Sequence, residues 1–285
     1  MKLSISNIGW PESSDLFMYD VMARYGFEGL EIAPTRIFPE SPYDKLDEAR
    51  SWKEDLRLRY GLTVASMQSI WYGRPEKIFG SVQERNALIA YTKQAVDFAE
   101  AVGCKNLVFG CPKNRSIPEN MTAMDGCGSD ISGYPYHSTA SWDRNQELAV
   151  RFFKEIGEYA YDHHTVIAME PNPPIYHTNF VNTTKEAVIF TETVNTQGFR
   201  LNADTGTMIE NGEDPAILQE KGYLIHHVHI SEPGQKMIQR RKLHQKLADL
   251  LRRISYQGFV SIETGMQDDK NKLIDSMKYV KEIFG

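Results

Sequence analysis

The sequence predicts a closed (β/α)₈ barrel formed by residues 1–285 as a single domain, and three observations carry that expectation. Apolar runs of strand length recur eight times, amphipathic stretches separate most of them, and glycine closes several of those stretches just before the next run. Regular alternation of this kind implies parallel pairing through right-handed crossovers. Eight such units in 285 residues suit a closed barrel better than an open doubly wound sheet, and closure removes the need for polar edge strands.

Strands are expected at Leu3–Ile8, Gly29–Ala33, Thr63–Gln68, Asn106–Gly110, Val166–Glu170, Arg200–Asp204, His226–Ile230 and Phe259–Glu263, each short and mostly rich in β-branched residues. Helices are expected at Leu16–Tyr25, Lys45–Tyr60, Gln83–Val102, Asp143–Asp162, Lys185–Asn195, Arg241–Tyr256 and Asn271–Ile283. Gly26, Gly61 and Gly103 follow the first three directly, as helix stops do. Residues 112–141, rich in Gly, Pro, Ser and Asn, form the longest irregular stretch. Lying after the fourth strand, they are either a lid or wall over the barrel mouth or a passive insertion. Neither glycine-rich phosphate-binding fingerprint occurs.

At 41% hydrophobic and 25% charged, the chain can fill a core, which excludes wholesale disorder. The balance of 32 basic and 38 acidic residues, net −6, argues against nucleic-acid binding, which needs a basic footprint. Cys104, Cys111 and Cys127 lack metal-type spacing and are expected as reduced thiols. The opening MKLSISNIGW alternates like a strand, and no run approaches the roughly 20 apolar residues of a spanning helix. The expectation is a soluble, cytoplasmic protein with no membrane or nucleic-acid partner.

Chemistry in this architecture sits at the C-terminal ends of the strands. Four consecutive strands, the fifth to the eighth, deliver Glu170, Asp204, His229 and Glu263 there, each after an apolar run where a lone charge is costly. A shared divalent cation resolves all four together, and three carboxylates with one imidazole suit Mn²⁺, Mg²⁺, Co²⁺ or Zn²⁺. Alternation on the seventh strand turns His227 and His229 one way and His226 the other. His229, nearest the strand end, is the ligand candidate; His227 is expected to pack one step deeper. His163 and His164 precede the fifth strand and are expected at the opposite end, and His244 is expected on a helix surface.

Seven further positions, Trp10, Glu31, Gln68, Trp71, Lys113, Asn172 and Gln235, are candidate substrate contacts. Trp10 and Trp71, with Tyr72, form either an apolar wall against a sugar ring or ordinary packing. Glu31 either bonds a substrate hydroxyl, supports the metal ligands, or pairs with Arg36 or Lys113. Lys113 and Arg115 either hold an anionic group or stay solvated. Gln68 ends the third strand and Gln235 lies beyond the seventh. Asn172 and Asn202 flank Glu170 and Asp204 as orienting donors, and Gly206 permits a sharp turn beside them.

The ordered runs AMEPN, NADTG, HHVHISE and VSIET, with GFEGLEI in the second unit, resemble the xylose isomerase-like TIM barrel superfamily across essentially the whole chain. That group includes ketose 3-epimerases, inosose dehydratases and the endonuclease IV branch. The resemblance implies that Glu170, Asp204, His229 and Glu263 bind a divalent metal, Mn²⁺ foremost, and that Glu170 and Glu263 also move protons. It further implies a small-molecule sugar or sugar derivative as partner and a homo-oligomeric habit. Charge developing on a carbonyl oxygen would be stabilised by the cation while paired carboxylates remove and return the neighbouring carbon-bound proton.

Three departures from the ketose 3-epimerase pattern stand out: Thr207 replaces a histidine, Gln235 an arginine and Tyr176 a glutamate. Gln68, Cys111 and Thr207 stand where the endonuclease branch needs further histidines. The expected activity is a metal-dependent sugar isomerase or epimerase working through an enediolate, in carbohydrate metabolism. The alternatives are a metal-dependent dehydratase or lyase on a cyclic polyol or oxidised sugar, and a non-catalytic carbohydrate-binding barrel.

Overall fold

Eight parallel strands pair in chain order and the eighth returns to the first, so the sheet closes on itself. The structure, a computed structural model, describes residues 1–119 and 140–285. The strands are β1 Lys2–Ser6, β2 Gly29–Ile32, β3 Thr63–Met67, β4 Leu107–Phe109, β5 Ile167–Met169, β6 Phe199–Asp204, β7 Ile225–Ile230 and β8 Phe259–Ile262. Nine α-helices accompany them among the described residues: α1 Asp15–Tyr25, α2 Pro34–Ile37, α3 Leu46–Tyr60, α4 Val82–Val102, α5 Ala140–Asp162, α6 Thr184–Val194, α7 Thr205–Asn211, α8 Lys242–Arg253 and α9 Lys270–Phe284.

The seven expected helices are all present, with small shifts at their ends. Capping boxes start α4 (Ser81 with Glu84) and α6 (Thr183 with Glu186), and Gly26, Gly61 and Gly103 end α1, α3 and α4 in the left-handed region. The short α2 and α7 were not legible as periodic segments. No long helix joins β6 to β7; α7 and two 3₁₀ turns, Pro215–Leu218 and Gly222–Leu224, make that crossover.

Several strands stop earlier than their apolar runs suggest. β1 gives way to a 3₁₀ turn at Asn7–Gly9, where Asn7 Oδ1 accepts the Ala33 N–H at 2.9 Å and ties the ends of β1 and β2 together. β5 ends at Met169 and β8 at Ile262, which leaves Glu170 and Glu263 one step beyond the ladder, at the mouth. Of the irregular stretch 112–141, the described parts are a 3₁₀ turn at Pro112–Asn114 with its continuation to residue 119, and the start of α5. The lid-or-wall expectation therefore falls chiefly on residues 120–139, which with Cys127 lie outside the described residues.

Alternation along the strands separates an apolar exterior from a polar lumen. Leu3, Ile5, Leu30, Ile32, Met67, Leu107, Phe109, Leu201, Val228, Ile230, Val260 and Ile262 are buried in one continuous core. An aromatic chain backs the strands on one side: Trp71 meets Phe109 at 4.7 Å, Phe109 meets Phe153 at 4.8 Å, and Phe153 meets Phe199 at 5.0 Å between ring centroids. The alternate positions Ser4, Ser6, Glu31, Ser66, Asn202, His227, His229 and Ser261 are equally buried but polar. β2 and β7 are not neighbours, yet Glu31 hydrogen-bonds His227 and His229, so these contacts cross the lumen.

His226 faces outward, as alternation requires, with Nδ1 2.8 Å from Asn106 Oδ1. His163 pairs with Glu100, and His164 is exposed beside it. His244 differs from expectation: it is fully buried, with Nδ1 3.1 Å from the Tyr279 hydroxyl. The reason is helical spacing, since His244, Leu247, Ala248 and Leu251 form one inward stripe of α8. Cys104 and Cys111 are free thiols, pushed up to about 12 mainly by burial. No helix among the described residues is long and apolar enough to cross a membrane.

Candidate metal centre

Glu170, Asp204, His229 and Glu263 each stand at or just beyond the C-terminal end of β5, β6, β7 or β8. Parallel pairing puts those ends side by side; Asp204 and His229 are register partners. The four side chains converge, with one potential ligand atom from each lying within 4.8 Å of all the others. Ligands about 2.1 Å from a common ion are at most about 4.2 Å apart, so small adjustments complete the set.

His229 supplies a sharper test of fit. Its Nδ1 lies 2.8 Å from Glu170 Oε1 and 3.5 Å from Glu263 Oε2 as charge contacts, but it is aligned for a hydrogen bond with neither and has no hydrogen-bond partner among the described residues. Two ligands at right angles on one ion are separated by about 3 Å without pointing at each other. An orphaned buried nitrogen beside three carboxylates matches that arrangement, and an N₁O₃ donor set suits a divalent cation such as Mn²⁺, Mg²⁺, Co²⁺ or Zn²⁺.

Electrostatics among the protein groups point the same way. Burial, then the neighbouring Glu170 carboxylate, pushes Asp204 up to about 6. Burial chiefly, with Glu170 and Glu31 adding to it, pushes Glu263 up to about 7. Burial alone would depress His229, but Glu31, Glu263 and the adjoining Glu170 hold it well above the usual imidazole value. Burial alone would raise Glu31, but His229 and His227 hold it well below the usual carboxylate range. A cation shared by the carboxylates relieves the repulsion that raises two of them.

A second set of side chains holds these four in place. Glu31 Oε2 lies 2.8 Å from His229 Nε2 and 3.0 Å from His227 Nε2, and it also accepts from Ser66 Oγ. Gln68 Nε2 donates to Glu31 Oε1 at 3.1 Å, to Glu263 Oε1 at 3.0 Å and to Ser6 Oγ at 2.8 Å. Glu170 receives Asn202 Nδ2 on Oε1 at 2.8 Å and Asn172 Nδ2 on Oε2 at 3.1 Å. Asp204 receives the Thr207 N–H at 2.7 Å and the Ser231 hydroxyl. Both asparagines thus serve Glu170, whereas Asp204 is held by Ser231, which the sequence did not single out. Ser6 and Ser66 were missed as well, although their inward positions on β1 and β3 follow from alternation.

Other sequence-derived candidates are placed elsewhere. Trp10 is completely buried with its indole N–H on Asp15 at 2.8 Å, and Trp71 is buried with its N–H on Thr92 Oγ1 at 2.8 Å, so both belong to the packing rather than to a wall of the mouth. Each indole satisfies its polar group inside the protein, which accounts for its burial. Tyr72 is exposed. Glu31 does not pair with Arg36, which binds Asp15 instead. Lys113 projects to solvent, and Arg115, expected as solvated or anion-binding, is fully buried. Thr207 turns its hydroxyl onto the Pro171 carbonyl at 2.7 Å. Gln235 is exposed on the rim, its carbonyl accepting the Gly265 N–H at 2.8 Å, and it is not drawn into the cluster.

Gly206 keeps an ordinary negative φ within α7, so the sharp turn is not its reason. A Cβ there would lie 2.6 Å from Ser231 Oγ and 3.2 Å from Asp204 Oδ2; glycine is needed for close approach. Tyr176 reaches across the rim, its hydroxyl accepting the Gly234 N–H at 2.9 Å.

The fold and site together define a parallel (β/α)₈ barrel with a metal-competent acidic mouth. The model of the Xylose isomerase-like TIM barrel family matches residues 19–283, and the chain belongs to that family. Among solved structures, it is similar to D-psicose 3-epimerase from Clostridium cellulolyticum H10, crystallised with D-tagatose, at 15% identity over 100% of this chain and 99% of that one, with a TM-score of 0.76. It is similar to the 3-keto-D-glucoside 4-epimerase YcjR from E. coli at 18% identity, 99% coverage of both chains and a TM-score of 0.73. The probable 3-DHS dehydratase AsbF from Bacillus anthracis aligns at 15% identity over 98% of both chains with a TM-score of 0.67. At these identities the likeness is one of fold. No curated protein matches the sequence.

Proposed function

We propose that the protein is a divalent-metal-dependent sugar isomerase or epimerase, moving a proton next to a carbonyl through an enediolate. The convergence of Glu170, Asp204, His229 and Glu263 around the orphaned His229 Nδ1 carries this reading. These four residues would hold the cation. When bound, it supplies Lewis-acid stabilisation of charge developing on a carbonyl oxygen and its neighbouring hydroxyl.

Glu170 and Glu263 are the acid and base. They come from β5 and β8, which are not adjacent in the barrel, so they approach a molecule in the mouth from different sides. One removes the carbon-bound proton and the other returns a proton, with inversion if it acts from the opposite face. Gln68 and Asn202 hold one oxygen of each carboxylate, which keeps the pair from swinging toward each other.

The solved structures of sugar epimerases on this fold support the substrate class. A second reading, loss of water from a cyclic polyol or oxidised sugar, draws on the same proton carriers. It is supported by the probable 3-DHS dehydratase that shares this fold. Incubation of Mn²⁺-loaded protein with a panel of ketoses and keto-sugars in D₂O tests both. Deuterium incorporated at carbon supports proton transfer, a product lighter by one water supports elimination, and neither signal contradicts an enzyme of this kind.

A further inference from the structure

Arg115 follows the turn after β4 and is completely buried, and among the described residues it forms no ion pair. Its Nη2 donates to Asn172 Oδ1 at 2.8 Å, to the Glu170 carbonyl at 3.0 Å and to the Val181 carbonyl at 3.4 Å, while Nη1 reaches Met169 Sδ at 2.9 Å. Nε has no partner. A buried guanidinium with no direct ion pair among the described residues is an expensive way to satisfy two carbonyls, since a neutral donor would serve. The arrangement makes sense through Asn172.

Guanidinium only donates, so Asn172 must present Oδ1 to Arg115 and therefore Nδ2 to its other neighbour. That neighbour is Glu170, whose Oε2 lies 3.1 Å from Asn172 Nδ2. Asn202 holds Oε1 from the other side, and a Cβ on Gly110 would stand 2.9 Å from Oε2. The Glu170 carboxylate is thus boxed in on each side, and one wall of the box depends on which way a single amide points. We infer that Arg115 is a positioning residue: by fixing the Asn172 amide it holds Glu170 in the orientation that binds the cation. This rests on the reading of Glu170 as a metal ligand.

The test is Mn²⁺ titration by calorimetry on the full chain, with thermal unfolding in a chelator as the control for folding. Asn172→Asp keeps an acceptor for Arg115 but cannot donate to Glu170, so a purely structural contact would tolerate it. Asn172→Asp and Arg115→Met should each weaken Mn²⁺ binding about tenfold or more, and Arg115→Lys should recover part of the loss. Arg115→Met combined with Asn172→Ala should be no weaker than Asn172→Ala alone, because the two act in series. Wild-type affinity in Asn172→Asp, or additive losses in the double variant, would overturn the inference; Asn172→Asp decides it if Arg115→Met does not fold. Failure of the unaltered protein to bind Mn²⁺ would overturn the metal reading and this inference with it.

Discussion

Glu31 on β2 and His229 on β7 meet across the lumen, with Glu31 Oε2 2.8 Å from His229 Nε2. Neither is exposed to solvent, and they come from strands that share no ladder. An acceptor-only carboxylate at Nε2 fixes the proton there and leaves the Nδ1 edge turned to Glu170, Asp204 and Glu263. Glu31→Gln removes that charge while keeping the side chain's size. It should weaken Mn²⁺ binding about 10- to 100-fold. Unchanged affinity in a calorimetric titration would show that His229 needs no such partner.

Protons and metal should compete at the site. Asp204 and Glu263 are pushed up to about 6 and about 7, so the folded protein keeps protons there that an unfolded chain has already released. Without a cation, these two groups make folding less favourable as pH rises from the ordinary carboxylate range through about 7. With Mn²⁺ the sign reverses, because ionised ligands bind it best. The rise in Tm caused by Mn²⁺ should therefore grow between roughly pH 5 and pH 8. A rise independent of pH would contradict the assignment of these carboxylates.

Glu263→Gln removes the proposed proton carrier but preserves an acceptor for the Gln68 amide. Solvent deuterium exchange into an accepted substrate should fall about 10²- to 10⁴-fold at saturating Mn²⁺. Undiminished exchange would remove Glu263 from the proton-transfer role.

Gly110 leaves the space that the Glu170 carboxylate fills. A Cβ there would sit 2.9 Å from Glu170 Oε2, too close to be accommodated, so Gly110→Ala must displace that carboxylate, whereas Asn172 Oδ1 at 3.4 Å stays in ordinary contact. The stability loss should be modest, about 1–3 kcal/mol by chemical unfolding, whereas Mn²⁺ affinity should fall by at least about tenfold. Intact affinity would show that Glu170 has room the structure does not give it.

The sequence exposed the barrel and the four converging side chains because both follow from simple periodicities. A strand-helix-glycine alternation fixes the order of units, and parallel closure brings the ends of β5 to β8 into one arc. What stayed hidden depends on contacts between residues far apart in the chain. Arg115 reads as a loop cation until Asn172 is seen against it. Trp10 and Trp71 sit at loop positions yet turn inward, because Asp15 and Thr92 lie under them to accept their N–H groups. Glu31 is conspicuous as an acid inside an apolar run, but its partners His227 and His229 are nearly two hundred residues away. His244 was legible in principle, since it shares a helical stripe with Leu247 and Leu251.

The most direct measurement is metal stoichiometry in the wild-type protein and in a variant carrying both Asp204→Ala and His229→Ala. After Mn²⁺ loading and desalting, the wild type should retain about one ion per chain and the double variant essentially none, with both still folded. Equal retention in the two, or none in the wild type, would contradict a cation held by Glu170, Asp204, His229 and Glu263.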